Sequence, residues 1–300
     1  MKATRSPLPF ALALLFACNE APPAARGTAS PPAQPAAPAP EQAPQPAPAP
    51  AKPEAPKVPN YGMGHQARWG ETAGLTYLEV VQGEADFDDE LPMIVAIHGL
   101  GDRPENFYGL LQQLGVKARI ILPRALDAHG DGWSWFPYRA RSPDVQLLSE
   151  SIDKAATVIV GALRELDEKH PRPDHARIIM TGFSQGGMLS FTTATKAPEL
   201  FDYVLPIGGW LPGPLVPEAK AADLPHSPEF VALHGDADPA VKIGPTREGV
   251  AALQEKGYSV QLHEYPGVKH AIPPEMRAEL YQLLGQAIAG QSILKPEAGK

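Results

Sequence analysis

The chain has a single cysteine, Cys18, among its 300 residues. No internal disulfide is possible, so stability must come from packing. Basic residues are scarce: 26 Lys and Arg stand against 34 Asp and Glu, a net charge of -8. That balance makes no electrostatic case for a nucleic-acid partner, which usually calls for a basic patch. The N-terminal apolar run, Leu8 to Ala17, is too short to span a bilayer. No internal repeat is present. What remains is 43% hydrophobic and 20% charged, an ordinary globular composition with enough apolar material for one large core. Proline is the exception, with 36 residues unevenly placed.

The N-terminus accounts for part of that excess. Lys2 and Arg5 form a positive region ahead of the Leu8–Ala17 run, as in a secretory signal. Leu15-Phe16-Ala17-Cys18 follows and resembles a bacterial lipobox, although Phe16 is bulkier than the usual residue there. Residues 1–18 are therefore expected to be a signal peptide, with Cys18 the lipid-anchored first residue of an exported, cell-envelope protein. An ordinary secretory signal with a chance Cys implies export as well. Asn19 rather than Asp follows Cys18, which favours the outer membrane. Residues 19–59 carry fourteen prolines from Pro22 to Pro59, interleaved mainly with Ala, Gln and Glu. Such a segment cannot bury a core and favours extended polyproline II. It reads as a disordered tether with a reach on the order of 100 Å.

Residues 60–290 read as the folded domain and 291–300 as a flexible polar tail. Leu75–Val81 alternates like a strand. Met93–Ile97 and Ala118–Pro123 are continuous apolar runs, as expected of strands covered on both faces. A helix is expected over Pro143–Glu168, with Ser142 as N-cap, Pro143 at the first position and Asp144 complementing the dipole. Further strands are expected at Arg177–Thr181, Tyr203–Ile207, Phe230–His234 and Ser259–Tyr265. Helices are expected over Thr246–Lys256 and Pro274–Ala289. Strands alternating with helices imply right-handed crossovers and a mostly parallel sheet.

The most informative segment is Gly182-Phe183-Ser184-Gln185-Gly186-Gly187. It reads G-x-S-x-G between a strand and a helix, the nucleophile-elbow arrangement of serine hydrolases. A serine hydroxyl needs a base, and the base needs an orienting acid. In α/β-hydrolases the order along the chain is Ser, acid, His, each just past a strand. His234-Gly235-Asp236-Ala237-Asp238-Pro239 follows a strand and offers two carboxylates, Asp236 and Asp238. His270 lies in the loop between the last strand and the last helix. His65, His129, His170, His175 and His226 come too early, and His263 lies within the last strand. His98-Gly99-Leu100-Gly101-Asp102 follows the Met93–Ile97 strand. Its glycines let backbone N–H groups approach a substrate carbonyl, as an oxyanion hole requires.

These motifs, with Trp210-Leu211-Pro212 and Gly267-Val268-Lys269-His270, resemble the phospholipase/carboxylesterase family, which includes acyl-protein thioesterases. The resemblance spans Leu91 to about Met276. It implies an α/β-hydrolase fold: a mostly parallel central sheet flanked by helices, with little or no separate cap domain. It implies Ser184 as nucleophile, His270 as base and Asp238 rather than Asp236 as acid. Leu100 and Gln185 would supply oxyanion donors, and Trp135, Phe136, Trp210 and Leu211 would lie near the acyl pocket. No metal or cofactor is implied. The expected partner is a small acyl ester, a class that includes lysophospholipids and thioesters. The membrane is a partner only through the Cys18 anchor. Two features lie outside the family pattern: the leader with its tether, and the Gly/Asp-rich segment Asp127–Asp131 ahead of Trp133 and Trp135. They leave open an envelope esterase acting on acetylated or feruloylated polysaccharide, a peptidase, or a non-catalytic binding protein of the same fold.

Overall fold

The structure is a computed structural model that describes residues 57–62, 64–72, 74–170, 172–173 and 176–296. All of them belong to the unit Glu54–Lys300. The leader, Cys18 and nearly all of the Pro/Ala-rich segment lie outside the described residues.

Eight strands form one sheet. They are β1 (His65–Thr72), β2 (Leu75–Gln82), β3 (Met93–Ile97), β4 (Ala118–Pro123), β7 (Ile178–Phe183), β8 (Phe201–Ile207), β9 (Glu229–Gly235) and β10 (Val260–Tyr265), with β5 (Asp127–His129) and β6 (Gly132–Ser134) forming a separate hairpin. The order across the sheet is β1-β2-β4-β3-β7-β8-β9-β10. The pairs β1–β2 and β2–β4 are antiparallel, and every later pair is parallel. Helices α2 (Val145–Lys169), α3 (Gln185–Lys196) and α4 (Ile243–Glu255) cover one face. The short α1 (Pro104–Phe107) and the C-terminal α5 (Pro274–Ile288) cover the other.

This is an α/β-hydrolase fold, with the parallel sheet buried on both sides as its continuous apolar strands require. All five residues of β3 are buried. Helix α2 turns Leu148, Ile152, Ala155, Ile159, Leu163 and Leu166 to the sheet at helical spacing.

The structure departs from the sequence reading in several elements. Helix α2 starts two residues later than expected. Its cap is Asp144, whose carboxylate accepts the Leu147 N–H at 2.9 Å, not Ser142. Strand β1 has no counterpart in the sequence reading: its alternation is short, with Gly70 and Glu71 ending it, and β2 supplies its pairing partners. The expected flexible tail is held over its described part, 291–296. Ile293 is 2% exposed within the core under α5. Glu229 accepts both the Ile293 N–H and the Ser292 hydroxyl at 2.9 Å.

Candidate active site

The site lies where β3, β7 and β9 end, at the carboxyl edge of the parallel strands, where open α/β sheets bind ligands. Ser184 joins β7 to α3 with φ 59° and ψ -114°. A positive φ is strained for a residue with a Cβ and costs about 1–3 kcal/mol, so the surroundings must hold it. The Ser184 N–H donates to Ile207 O at 2.9 Å, and its carbonyl accepts Met188 N–H at 3.0 Å. Two glycines are required by close approach. A Cβ on Gly186 would collide with the Ile97 carbonyl, and one on Gly182 would lie 2.5 Å from Gly186 O.

His270 Nδ1–H donates to Asp238 Oδ2 at 2.6 Å. That leaves Nε2 as an acceptor for the Ser184 hydroxyl, 2.9 Å away. The other carboxylate oxygen of Asp238 accepts the backbone N–H groups of Ala240 (2.8 Å) and Val241 (2.9 Å). Asp238 is thus buried, fully engaged and fixed in direction. Phe183 stacks on the His270 ring, with centroids 4.6 Å apart, and limits its rotation. Asp236, the alternative carboxylate, points elsewhere: it accepts the Gly267 N–H at 2.6 Å and pins the acid loop to the histidine loop.

Two buried histidines support these loops. Below Asp238, His234 Nε2–H donates to Val241 O at 2.8 Å, and its Nδ1 lies 3.1 Å from the Thr246 hydroxyl. Behind the Gly99–Leu100 loop, His98 Nδ1–H donates to Gly99 O at 2.7 Å, and its Nε2 accepts Ala125 N–H at 3.2 Å. Burial lowers the pKa of both rings, so each stays neutral and can accept at one nitrogen while donating from the other.

Gln185 opens α3, so its N–H has no intrahelical partner, and the residue lines the cavity. Its side chain has a second role that the motif does not reveal. The amide accepts Trp135 N–H at 3.0 Å and donates to Phe136 O at 2.9 Å, fastening the 134–136 segment to the elbow. The unexpected β5–β6 hairpin braces the other loop. Gly101 N–H donates to Trp133 O at 2.8 Å, and Trp133 N–H donates to Asp102 O at 3.0 Å.

A cavity of about 470 Å³ opens over Ser184 and His270, lined also by Leu100, Gln185, Tyr138 and Val241. That is within the size range of small-molecule sites. The expected pocket residues are a correction. Trp135 and Phe136 are buried in the core between the sheet and α2, and the Trp135 indole N–H donates to His98 O at 3.0 Å. Leu211 is buried, and Trp210 packs on the same core. None of the four lines the cavity. The loop that does is 138–141, which carries no apolar cluster to flag it.

Fold and site geometry together define an α/β-hydrolase. The chain belongs to the phospholipase/carboxylesterase family, whose model matches residues 53–288. It is 31% identical to an acyl-protein thioesterase 1 from Mycosarcoma maydis over 226 residues, 65% of this chain and 90% of that one. A counterpart from Neurospora crassa is 28% identical over 203 residues, 59% of this chain and 79% of that one. Among solved structures it resembles esterase PE8, with TM-score 0.58, 22% identity and coverage of 66% of this chain and 93% of that one. Zea mays acyl-protein thioesterase 2 is similar, with TM-score 0.56, 22% identity and coverage of 68% and 96%.

Proposed function

We propose that this protein is a serine carboxylesterase that hydrolyses carboxylic esters and thioesters through an acyl-enzyme. The observation that carries the reading is the hydrogen-bond chain from Ser184 through His270 to Asp238 on the cavity floor. The names of the thioesterase relatives support the inclusion of thioesters.

In this mechanism the Ser184 hydroxyl attacks the acyl carbonyl while His270 Nε2 takes its proton. Asp238 holds the ring in the tautomer that leaves Nε2 free and stabilises the imidazolium that forms. Negative charge develops on the carbonyl oxygen, and the backbone N–H groups of Leu100 and Gln185 stabilise it. A donor of this type typically contributes about 3–4 kcal/mol to lowering the barrier. His270 then returns the proton to the departing alcohol or thiol. In the second half the same ring deprotonates a water, which cleaves the acyl-enzyme and regenerates Ser184.

A fluorophosphonate probe tests the nucleophile directly. Stoichiometric modification mapped to Ser184 is expected. A folded protein that resists the probe, or one modified at another serine, would refute the reading in favour of a binding protein with this fold.

The leader carries a second part of the proposal: export, and anchoring of the catalytic domain to the cell envelope through a lipid on Cys18. Cys18→Ser is expected to move the protein from the membrane to the soluble fraction. Unchanged fractionation excludes the anchor.

A further inference from the structure

The cavity over Ser184 is lined by two arginines, Arg139 and Arg141, against one acidic residue, Asp102. The ion-paired arginines among the described residues are Arg68, Arg119, Arg164, Arg172, Arg177 and Arg247. Arg139 and Arg141 are not among them, and they have no ion-pair partner among the described residues. Elsewhere on this acidic protein, exposed arginines sit against acids: Arg164 on Glu199 at 2.8 Å and Arg247 on Glu264. Arg103, Arg124 and Arg277 also lack an ion pair, but they are partly buried and none lines the cavity; Arg139 and Arg141 are exposed, unmatched and at the reaction cavity.

The loop that presents them is held at both ends. On its N-terminal side, Trp135 and Phe136 are tied to the Gln185 amide. On its C-terminal side, Asp144 caps α2. Between them, Ser142 N–H donates to Arg139 O at 2.9 Å and closes a turn around the two arginines. Both guanidiniums are therefore carried on a short, fastened loop rather than a long free one. Arginine presents a planar fork that matches carboxylate and phosphate oxygens bidentately. In a chain of net charge -8, local cations at the cavity mouth also offset the repulsion an anionic substrate would meet on approach.

We infer that Arg139 and Arg141 form an anion-binding rim that selects acyl esters or thioesters carrying a carboxylate or phosphate group. This rests on the esterase reading above and names its substrate class. The apolar wall of Phe183, Pro239 and Val241 receives the uncharged part of the substrate, while the rim receives the charged end.

Two matched substrate pairs test it. The first is the mono-p-nitrophenyl ester of adipic acid against its methyl-capped neutral analogue, with the anion on the acyl group. The second is an acylglycerol phosphate against the monoacylglycerol of the same chain, with the anion on the leaving group. The readout is the ratio of kcat/KM, anionic over neutral. The wild-type ratio is expected to exceed one in at least one pair. It should fall by about tenfold in the Arg139→Gln, Arg141→Gln double variant and weaken with added salt. The Arg139→Lys, Arg141→Lys variant should retain part of the preference. Which pair shows the effect identifies where the anion sits. A ratio at or below one in both pairs, or a ratio unchanged in the double variant, overturns the rim while the esterase reading stands. No turnover of any of the four, with Ser184 unmodified by fluorophosphonate, overturns the esterase reading and the rim with it.

Discussion

Ser184→Ala is expected to lower kcat for ester hydrolysis by about 10⁶-fold while leaving the fold intact. At about 1.36 kcal/mol per factor of ten, that is about 8 kcal/mol of barrier. The substitution removes only Oγ. The backbone bonds that hold the elbow, Ser184 N–H to Ile207 O and Met188 N–H to Ser184 O, are unaffected. His270→Ala should cost nearly as much, because a nucleophile without its base is as disabled as a base without its nucleophile. Asp238→Asn should cost about 10⁴-fold, since an amide at Oδ2 favours the wrong His270 tautomer. The three losses should not add: a Ser184→Ala, His270→Ala double variant should be no slower than either single one. Steady-state kinetics with a p-nitrophenyl ester measures all of this. Ester hydrolysis persisting in Ser184→Ala at more than about a hundredth of the wild-type rate defeats the assigned nucleophile.

The second large effect lies far from the site. Glu79 on β2 is buried between two cations. It accepts Arg68 Nε–H at 2.7 Å and also pairs with Arg119, itself 2% exposed at its side chain. A second Arg119 nitrogen donates to the carbonyls of Phe87 and Asp89 at 2.9 Å, which ties the β2–β3 connection to β4. Glu79→Ala strands the buried guanidinium without its carboxylate, and breaking such a pair costs about 3–5 kcal/mol. At about 2–4 °C per kcal/mol for a domain of this size, the thermal midpoint should drop by about 10 °C. Glu79→Gln, which keeps an acceptor, should cost less. A midpoint within about 2 °C of wild type in Glu79→Ala would show that the cluster contributes little.

His170 adds a pH dependence to the same cluster. Its Nε2 lies 3.9 Å from Glu79. Burial pushes its pKa down to about 4, helped by the Arg119 charge and opposed by Glu79. The folded ring thus resists a proton that the unfolded chain takes up near pH 6.5. Stability should therefore be fully present above about pH 6.5 and fall as the pH drops towards about 4. His170→Gln should flatten that part of the profile.

Much of the fold was legible because it depends on local patterns. The apolar runs of β3 and β4, the face of α2 and the glycines around Ser184 each state their structure within a few residues. The order of elbow, acid loop and histidine loop followed from the same reading. Strand β1 was not legible, because its polar-apolar alternation covers only Gln66 to Trp69 before Gly70 and Glu71, and pairing with β2 is what makes the whole segment a strand. Nor was the β5–β6 hairpin, three residues to a strand in a Gly/Asp-rich stretch.

The sequence by itself determined which residues were available for chemistry: a serine on a tight turn, two carboxylates after a later strand, and a histidine before the last helix. A motif of that kind is a statement about backbone, and glycine, proline and strand runs encode backbone directly. Local pattern left the two carboxylates equivalent and only the family resemblance favoured Asp238; tertiary structure supplies the geometry, setting Asp238 against His270 with two backbone donors and turning Asp236 to Gly267. It also sent Trp135 and Leu211 into the core and brought Arg139 and Arg141 to the cavity. The physical reason is the same throughout. A side chain's direction and neighbours depend on which distant loops pack beside it, and no local pattern carries that information.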